Sequence, residues 1–214
     1  MCNYQKRLEE FIASTKEGTT LLLHSCCAPC SSYCLEYLSS HFAITIFFYN
    51  PNITENQEYR KRVEEIKRLA GILNGKEETK YPIQFLEGNY DPERFLSLTK
   101  GYEECPEGGD RCKICFQMRL EEAAKACKDG GYDFYTTTLT ISPLKNAPLL
   151  NEIGEENALT YGVKFLPSDF KKKNGYKRSI ELSREYDLYR QDYCGCAFSK
   201  AERIRQKQMK QVDE

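Results

Sequence analysis

Eleven of the 214 residues are cysteines, and all but Cys2, Cys105 and Cys127 fall into three groups whose spacing suits chemistry. Cys112-Lys113-Ile114-Cys115 is a C-x-x-C pair at a predicted loop-to-helix junction. Two intervening residues let both thiolates turn toward one metal, and a helix N-terminus favours their negative charge. Alone, the pair serves zinc, iron–sulfur or dithiol redox chemistry, and the bland alternative is two incidental thiols. Cys26-Cys27-Ala28-Pro29-Cys30 is rarer. Adjacent cysteines do not readily bridge each other, but both can ligate a cluster where a strand breaks into a loop. Cys30 and Cys34 lie one helical turn apart. Cys34 shares an apolar face with Tyr33, Leu35 and Leu38 and reads as core, whereas Cys30 stays open between ligand and core. In Cys194-Gly195-Cys196 the glycine permits tight geometry, so both thiols reach one metal or a strained, reducible disulfide. A flexible thiol pair is the plain alternative there. The three isolated cysteines receive no role.

A closed structural zinc site is content with four thiolates. The three groups offer more than that, and an iron–sulfur cluster joined by a redox pair or a second metal fits the surplus better. Disulfide scaffolds are short and poor in regular structure, and an odd cysteine count opposes complete pairing. Met1 to Glu10 shows no basic start followed by an apolar stretch, so no secretory signal is expected and the thiols read as reduced and cytoplasmic. No apolar run approaches a membrane span. The absence of a nucleotide-cofactor glycine fingerprint means that electrons for redox work come from outside.

Formal net charge is −1, so nucleic-acid binding requires a local patch. Lys171-Lys172-Lys173, Lys177-Arg178, Arg184 and Arg190 supply one, interleaved with Tyr176, Tyr189 and Tyr193. Lysine and arginine would hold phosphates and a tyrosine would stack on an extruded base; a solvated basic loop is the alternative. The tail from Ser199 to Lys210 adds to this surface more weakly.

The elements that position these residues alternate. Thr20 to Ser25, Ala43 to Tyr49, Pro82 to Leu86, Tyr132 to Thr138 and Val163 to Leu166 read as strands. Helices are predicted from Pro29 to Leu38, Glu55 to Ala70, Asp91-Pro92 to Leu98, Cys112 to Lys128, Lys145 to Tyr161, Arg178 to Tyr186 and Ser199 to Gln211. Such alternation implies an α/β fold with a parallel sheet covered on both faces. Ligands in such sheets bind beyond the carboxyl ends of the strands. Ser25-Cys26-Cys27, the Asn50 turn and Thr136 to Thr140 should therefore face one region. A single domain over 1–214 is expected, with an α/β core over 20–168 and a basic, cysteine-containing extension over 169–214.

Five blocks together resemble one family: HSCCAPC at His24 to Cys30, FFYNPNI at Phe47 to Ile53, RCKICFQMRL at Arg111 to Leu120, TTTLTISPLKN at Thr136 to Asn146, and SDFKKKNGYKRS with YRQDYCGC. They are similar to the cobalamin-independent epoxyqueuosine reductases, from about Leu21 to Cys196. The resemblance implies a Rossmann-like, adenine-nucleotide-hydrolase type of fold. It also implies reduction of the cyclopentane epoxide of epoxyqueuosine, at the wobble position of tRNA, to the alkene of queuosine. A 4Fe–4S cluster is implied on Cys26, Cys27, Cys112 and Cys115, with Cys194 and Cys196 as a redox-active pair and His24 within the site. Four cysteine ligands leave such a cluster no open position. A second, mononuclear iron on Cys30, Cys194 or Cys196 with Asp192 would provide one; direct electron transfer to a protonated substrate is the other route. A ferredoxin or flavodoxin is the natural donor. The competing readings are a zinc-stabilised tRNA-binding protein, a metal-free thiol–disulfide oxidoreductase and an ATP-dependent tRNA-thiolating enzyme. The last wants a glycine-rich phosphate cradle after its first strand, where this chain carries Cys26-Cys27.

Overall fold

The computed structural model describes residues 3–212, so Cys2 lies outside the described residues. The helices are α1 (Tyr4–Ser14), α2 (Ala28–Leu38), α3 (Asn56–Asn74), α4 (Pro92–Leu98), α5 (Asp110–Asp129), α6 (Ala147–Tyr161), α7 (Gly175–Glu185) and α8 (Ala197–Val212). The strands are β1 (Thr20–His24), β2 (Ala43–Phe48), β3 (Gln84–Glu87) and β4 (Phe134–Thr137), the last running into a 3-10 turn at Thr138–Ile141. All pairings are parallel, in the order β3-β2-β1-β4.

Successive side chains of a strand point to opposite faces, so a sheet covered on both sides needs continuous apolar runs. Leu21, Leu23, Ile44, Ile46 and Phe48 enter one core cluster, and Leu22, Phe47 and Tyr135 enter the other. Leu21, Leu22 and Leu23 are completely buried, and each contributes on the order of 1.5–3 kcal/mol of transfer free energy. The chain proceeds outward from β1 through β2 to β3, then returns to place β4 on the far side of β1. The carboxyl end of β1 therefore sits at the point where the winding reverses, which is where such sheets bind ligands.

Two elements differ from the sequence reading. The expected fifth strand, Val163 to Leu166, contributes only one bridge, between Tyr135 and Phe165. Leu166 N donates to the Tyr135 carbonyl at 2.8 Å. The next N–H due to face β4, that of Ser168, donates instead to Asn151 Oδ1 at 2.9 Å, and the Leu166 carbonyl accepts from Thr136 Oγ1 at 2.8 Å, so the ladder stops there. Conversely, α1 is a helix the sequence reading does not anticipate. Asn3 caps it by accepting from Lys6 N at 3.1 Å, Leu8 is fully buried, and the Phe11 ring meets Phe134 edge-on at 4.9 Å. The predicted amphipathic face of α3 is present, with Val63, Ile66 and Leu69 buried, and it continues through Leu73.

The segment after Pro167 returns across the site-bearing end of the sheet. Its helix α7 packs on α2 at very short range. A Cβ at Gly175 would stand 1.9 Å from the Phe170 carbonyl oxygen and 2.4 Å from the Tyr33 ring, so only glycine allows this approach. Among the described residues no helix is long and apolar enough to cross a membrane.

Candidate active site and metal centre

At the end of β1 the chain turns straight into α2. Ser25 N still pairs with the Phe47 carbonyl at 2.9 Å, and Asn50 Nδ2 donates to the Ser25 carbonyl at 2.8 Å, tying the ends of β1 and β2 together. Cys27 is the N-cap of α2 and Pro29 stands in its first turn, where a missing N–H costs nothing. This strand–turn–helix geometry gathers Cys26, Cys27 and Cys30, whose Sγ atoms all lie within 4.8 Å of one another. Cys30, left open by the sequence, thus stands with the adjacent pair. Cys34, one turn on, is fully buried and donates to the Cys30 carbonyl at 3.4 Å, as a core residue.

The three thiols do not share protons equally. Cys26 is pulled well below the usual thiol range by hydrogen bonds with Cys27 and Cys30, helped by the charges of Arg119 and Lys145. Cys27 is raised to about 11, and Cys30 is also raised, chiefly by those same bonds to Cys26. Of the three, Cys26 is the one biased toward the thiolate, the form in which cysteine ligates a metal.

Cys112 and Cys115 stand in the first turns of α5, with Gly108 N–H donating to Cys112 Sγ at 3.2 Å. Burial raises both thiols, Cys115 to about 11. They do not belong to the close three-thiol group. They line a small inner chamber of about 30 Å³, together with Cys194, Cys196, Arg119 and Lys145. An open outer cleft of about 430 Å³ carries Cys26, Cys27 and Cys30 on its wall, and Cys194 borders both spaces. The structure thus places all seven of these thiols around two adjoining cavities, and Cys26 and Cys112 pack against the same buried cluster of Phe116 and Leu120.

The third group arrives from the C-terminal segment. Arg62 Nη1 donates to the Cys194 carbonyl at 3.1 Å, Asn52 Nδ2 to the same oxygen at 3.4 Å, and Thr54 N to the Gly195 carbonyl at 3.3 Å. Gly195 adopts φ +116°, and a Cβ there would stand 2.7 Å from Ile53 Cγ1. Both glycine properties are needed to seat the turn on the loop after β2. Cys194 and Cys196 are free thiols with sulfurs 3.5 Å apart. The hydrogen bond from Cys196 lowers Cys194 to about 6, and the same bond raises Cys196.

His24 lies beneath this surface, completely buried at the end of β1. Nδ1 is 2.8 Å from Thr137 Oγ1, and Nε2 is 3.3 Å from Arg119 Nε and 3.2 Å from the Tyr49 carbonyl. An arginine Nε always carries a proton, so Nε2 accepts and Nδ1–H donates to Thr137. Burial first, and Arg119 second, depress His24 to about 3, which keeps the ring neutral. It lines neither cavity and acts on the site through Arg119.

Asp192 is on the outer cleft, its carboxylate exposed and held by Lys207 Nζ at 2.5 Å. The basic segment is partly neutralised by its own chain. Lys171 pairs with Asp169 at 2.6 Å, Lys173 with Glu9 of α1, and Arg178 with Glu36 of α2 at 2.6 Å. Lys172 and Lys177 are exposed with no partner among the described residues. Arg190 reaches Ser183 Oγ at 3.1 Å from the cleft wall. The Tyr189 and Tyr193 rings are covered by Lys61 and Arg62, while Tyr176 leaves its ring exposed on the cleft.

Several site residues escaped the sequence reading. Arg119 is 3% exposed; it donates to Asn50 Oδ1 at 2.5 Å and lies 3.9 Å from Cys115 Sγ. Its spacing from Cys112 and Cys115 (i+7 and i+4) puts it on their helix face, a signal readable in the sequence. Arg62, paired with Glu58 at 2.7 Å, and Lys145 and Glu107 complete the charged walls. Neither Arg119 nor Lys145 has a carboxylate partner among the described residues. A buried cation such as Arg119, and a half-buried one such as Lys145, call for other anions nearby when they lack carboxylates, and thiolates with a metal cluster fit that need. On the same inner walls, Asn52 Oδ1 and Arg111 Nε are buried without hydrogen-bond partners.

Comparison with known proteins adds the decisive observation. The profile of the family described as Epoxyqueuosine reductase QueH matches residues 21–202. This chain belongs to that family. Proteins named Epoxyqueuosine reductase QueH include one from Staphylococcus epidermidis, 46% identical over 202 residues, covering 92% of this chain and 84% of that protein. Another, from Streptococcus pyogenes serotype M1, is 46% identical over 180 residues, or 84% of this chain and 70% of that protein. A more distant one from Thermotoga maritima is 36% identical over 190 residues, 86% of this chain and 92% of its own length. For a QueH family member, the matched span takes in all three cysteine groups and the wall residues Arg119 and Lys145.

Proposed function

We propose that this chain reduces epoxyqueuosine at the wobble position of tRNA to queuosine, removing the epoxide oxygen as water. The observation that carries the reading is a thiol-lined double cavity at the switch point of a parallel sheet, in a chain of the epoxyqueuosine reductase QueH family. The residues that would hold a 4Fe–4S cluster are Cys26, Cys27, Cys112 and Cys115, and bound there it supplies single electrons. Cys30 and Cys194, on the cleft with Asp192, are the groups available to a second, mononuclear iron. Cys194 and Cys196 are an alternative two-electron store.

The remaining residues bind and orient. The outer cleft is open enough to admit a flipped nucleotide, with Tyr176 as an exposed ring to stack on a base. Lys172, Lys177 and Arg190 are the cations placed for phosphates, since Lys171, Lys173 and Arg178 already face carboxylates. Arg119, anchored by Asn50 and His24, holds positive charge against the α5 thiols. Electrons come from a one-electron carrier protein of the ferredoxin or flavodoxin class, and the cytoplasm is the compartment this reading assigns, supported by the reduced thiols and a tRNA substrate. The test is iron, zinc and acid-labile sulfide content of anaerobically purified protein, followed by turnover of epoxyqueuosine-containing tRNA. Iron and sulfide in equal amounts with turnover support the reading. Zinc alone favours a binding protein, and activity that survives complete chelation favours dithiol chemistry.

A further inference from the structure

We propose that Lys145 receives the substrate's departing oxygen: its ammonium donates a hydrogen bond, and then a proton, to that oxygen as the carbon–oxygen bond breaks. This rests on the reductase reading above. The open cleft and the inner chamber share one wall, formed by Glu107, Arg119, Leu144, Lys145 and Cys194. A substrate that enters through the cleft and is reduced beside the thiols must bring its epoxide to this wall.

The other charged groups in reach are already engaged. Arg119 donates to Asn50 and His24, and Glu107 accepts from Ser199 Oγ at 3.2 Å. Arg62 is bound to Glu58 and to the Cys194 carbonyl. Farther out, Arg190 donates to Ser183 Oγ, and Arg203 donates to the Asp192 carbonyl at 2.8 Å. The Lys145 ammonium has no hydrogen bond or ion pair among the described residues, so all the Nζ donors are available. Its backbone is nevertheless fixed: Lys145 N closes a turn on the Ser142 carbonyl at 3.2 Å, and the next residue, Asn146, caps α6. The titratable and charged groups facing it are the Cys26, Cys30 and Cys194 thiols and Arg119. An ammonium with free donors on this wall can both hydrogen-bond to an incoming oxygen and release a proton to it.

The chemistry balances as epoxide plus two electrons plus two protons giving alkene plus water. The two electrons, supplied by the external one-electron carrier, end in the new carbon–carbon π bond. Both carbon–oxygen bond pairs leave with oxygen. Lys145 gives the first proton to the oxygen when the first bond breaks, becoming a neutral amine that solvent reprotonates through the open cleft. A second proton, from solvent, releases the oxygen as water when the second bond breaks. A positioned general acid contributes roughly 10²–10⁴-fold to such a step.

Lys145→Ala, purified anaerobically as the loaded enzyme beside wild type, tests this in four readings: iron and sulfide content, tRNA Kd, kcat, and kcat with added ethylamine. Iron, sulfide and Kd should stay within about twofold of wild type while kcat falls at least ~100-fold, and ethylamine should restore turnover in a saturable way. A variant that keeps a third or more of wild-type kcat overturns the proposal. So does loss of iron, which makes Lys145 a counter-charge only, or loss of tRNA affinity, which makes it a phosphate contact. A kcat loss that ethylamine leaves unchanged also overturns it. Wild-type protein that binds no iron and does not reduce the tRNA removes the reductase reading itself, a separate outcome.

Discussion

Replacing Arg119 by methionine should cost little in the metal-free protein and several kcal/mol more in the loaded one. In the metal-free chain the substitution leaves Asn50 Oδ1 and His24 Nε2 without their donor, at about 1–3 kcal/mol for each buried unpaired group. Against that, the guanidinium is only 3% exposed, and burying an ion without a carboxylate costs several kcal/mol. The two effects are of similar size and opposite sign. A cluster held on Cys115, as proposed, would fix it as a thiolate, 3.9 Å from Arg119 Nη1. At an effective dielectric of about 20, opposite unit charges ~4 Å apart attract by ~4 kcal/mol, and this lost attraction appears only in the loaded state. Guanidinium denaturation of both states, reduced and under nitrogen, measures the difference, with iron release to a chelator as a second reading. Arg119→Lys, which keeps the charge, should recover much of it. Equal destabilisation of loaded and metal-free protein by Arg119→Met would refute the counter-charge argument and leave Arg119 a hydrogen-bonding strut.

Three further outcomes follow from the site. Cys194, lowered to about 6, is mostly thiolate at neutral pH, whereas Cys196 is raised; mass spectrometry after brief alkylation of reduced, metal-free protein at pH 7 should find Cys194 modified first, and faster labelling of Cys196 would reverse that assignment. Charge reversal at Lys172 and Lys177 should lower tRNA affinity and reduce the slope of log K against log salt by about one per lost phosphate contact, more than reversal at the internally paired Lys171 and Lys173; a filter-binding salt titration in which both pairs behave alike would refute the distinction. Asp192→Asn should remove iron in excess of the cluster's, read by metal analysis, and leave the cluster absorbance intact, because Asp192 sits on the cleft side away from the α5 thiols; unchanged iron counts against a second metal.

The sequence carried the sheet and the identity of the cysteine groups because both are local signals. An apolar run such as Leu21 to Leu23, or a motif such as Cys112 to Cys115, is decided by neighbours a few residues away. Val163 to Leu166 looks equally strand-like, yet forms only one bridge, since the next ladder groups, Ser168 N and the Leu166 carbonyl, are taken by the side chains of Asn151 and Thr136. Membership of Cys30 in the close thiol group was undecided in the sequence because a cysteine one turn into a helix faces core or cavity according to how that helix is set on the sheet. The same setting buries Cys34 and leaves Cys30 half-buried on the cleft wall. His24 carried a catalytic expectation, but its depth and its bond to Arg119, 95 residues away, make it a neutral support. The basic stretch read as one patch; the fold divided it by bringing Glu9 and Glu36 from the first two helices against Lys173 and Arg178. Charge compensation, burial and the joining of two cavities depend on long-range contacts that no spacing rule encodes. By itself the sequence determined which chemical groups exist and the family they belong to; the tertiary structure decided which of them are buried, paired, or left with donors to offer a substrate.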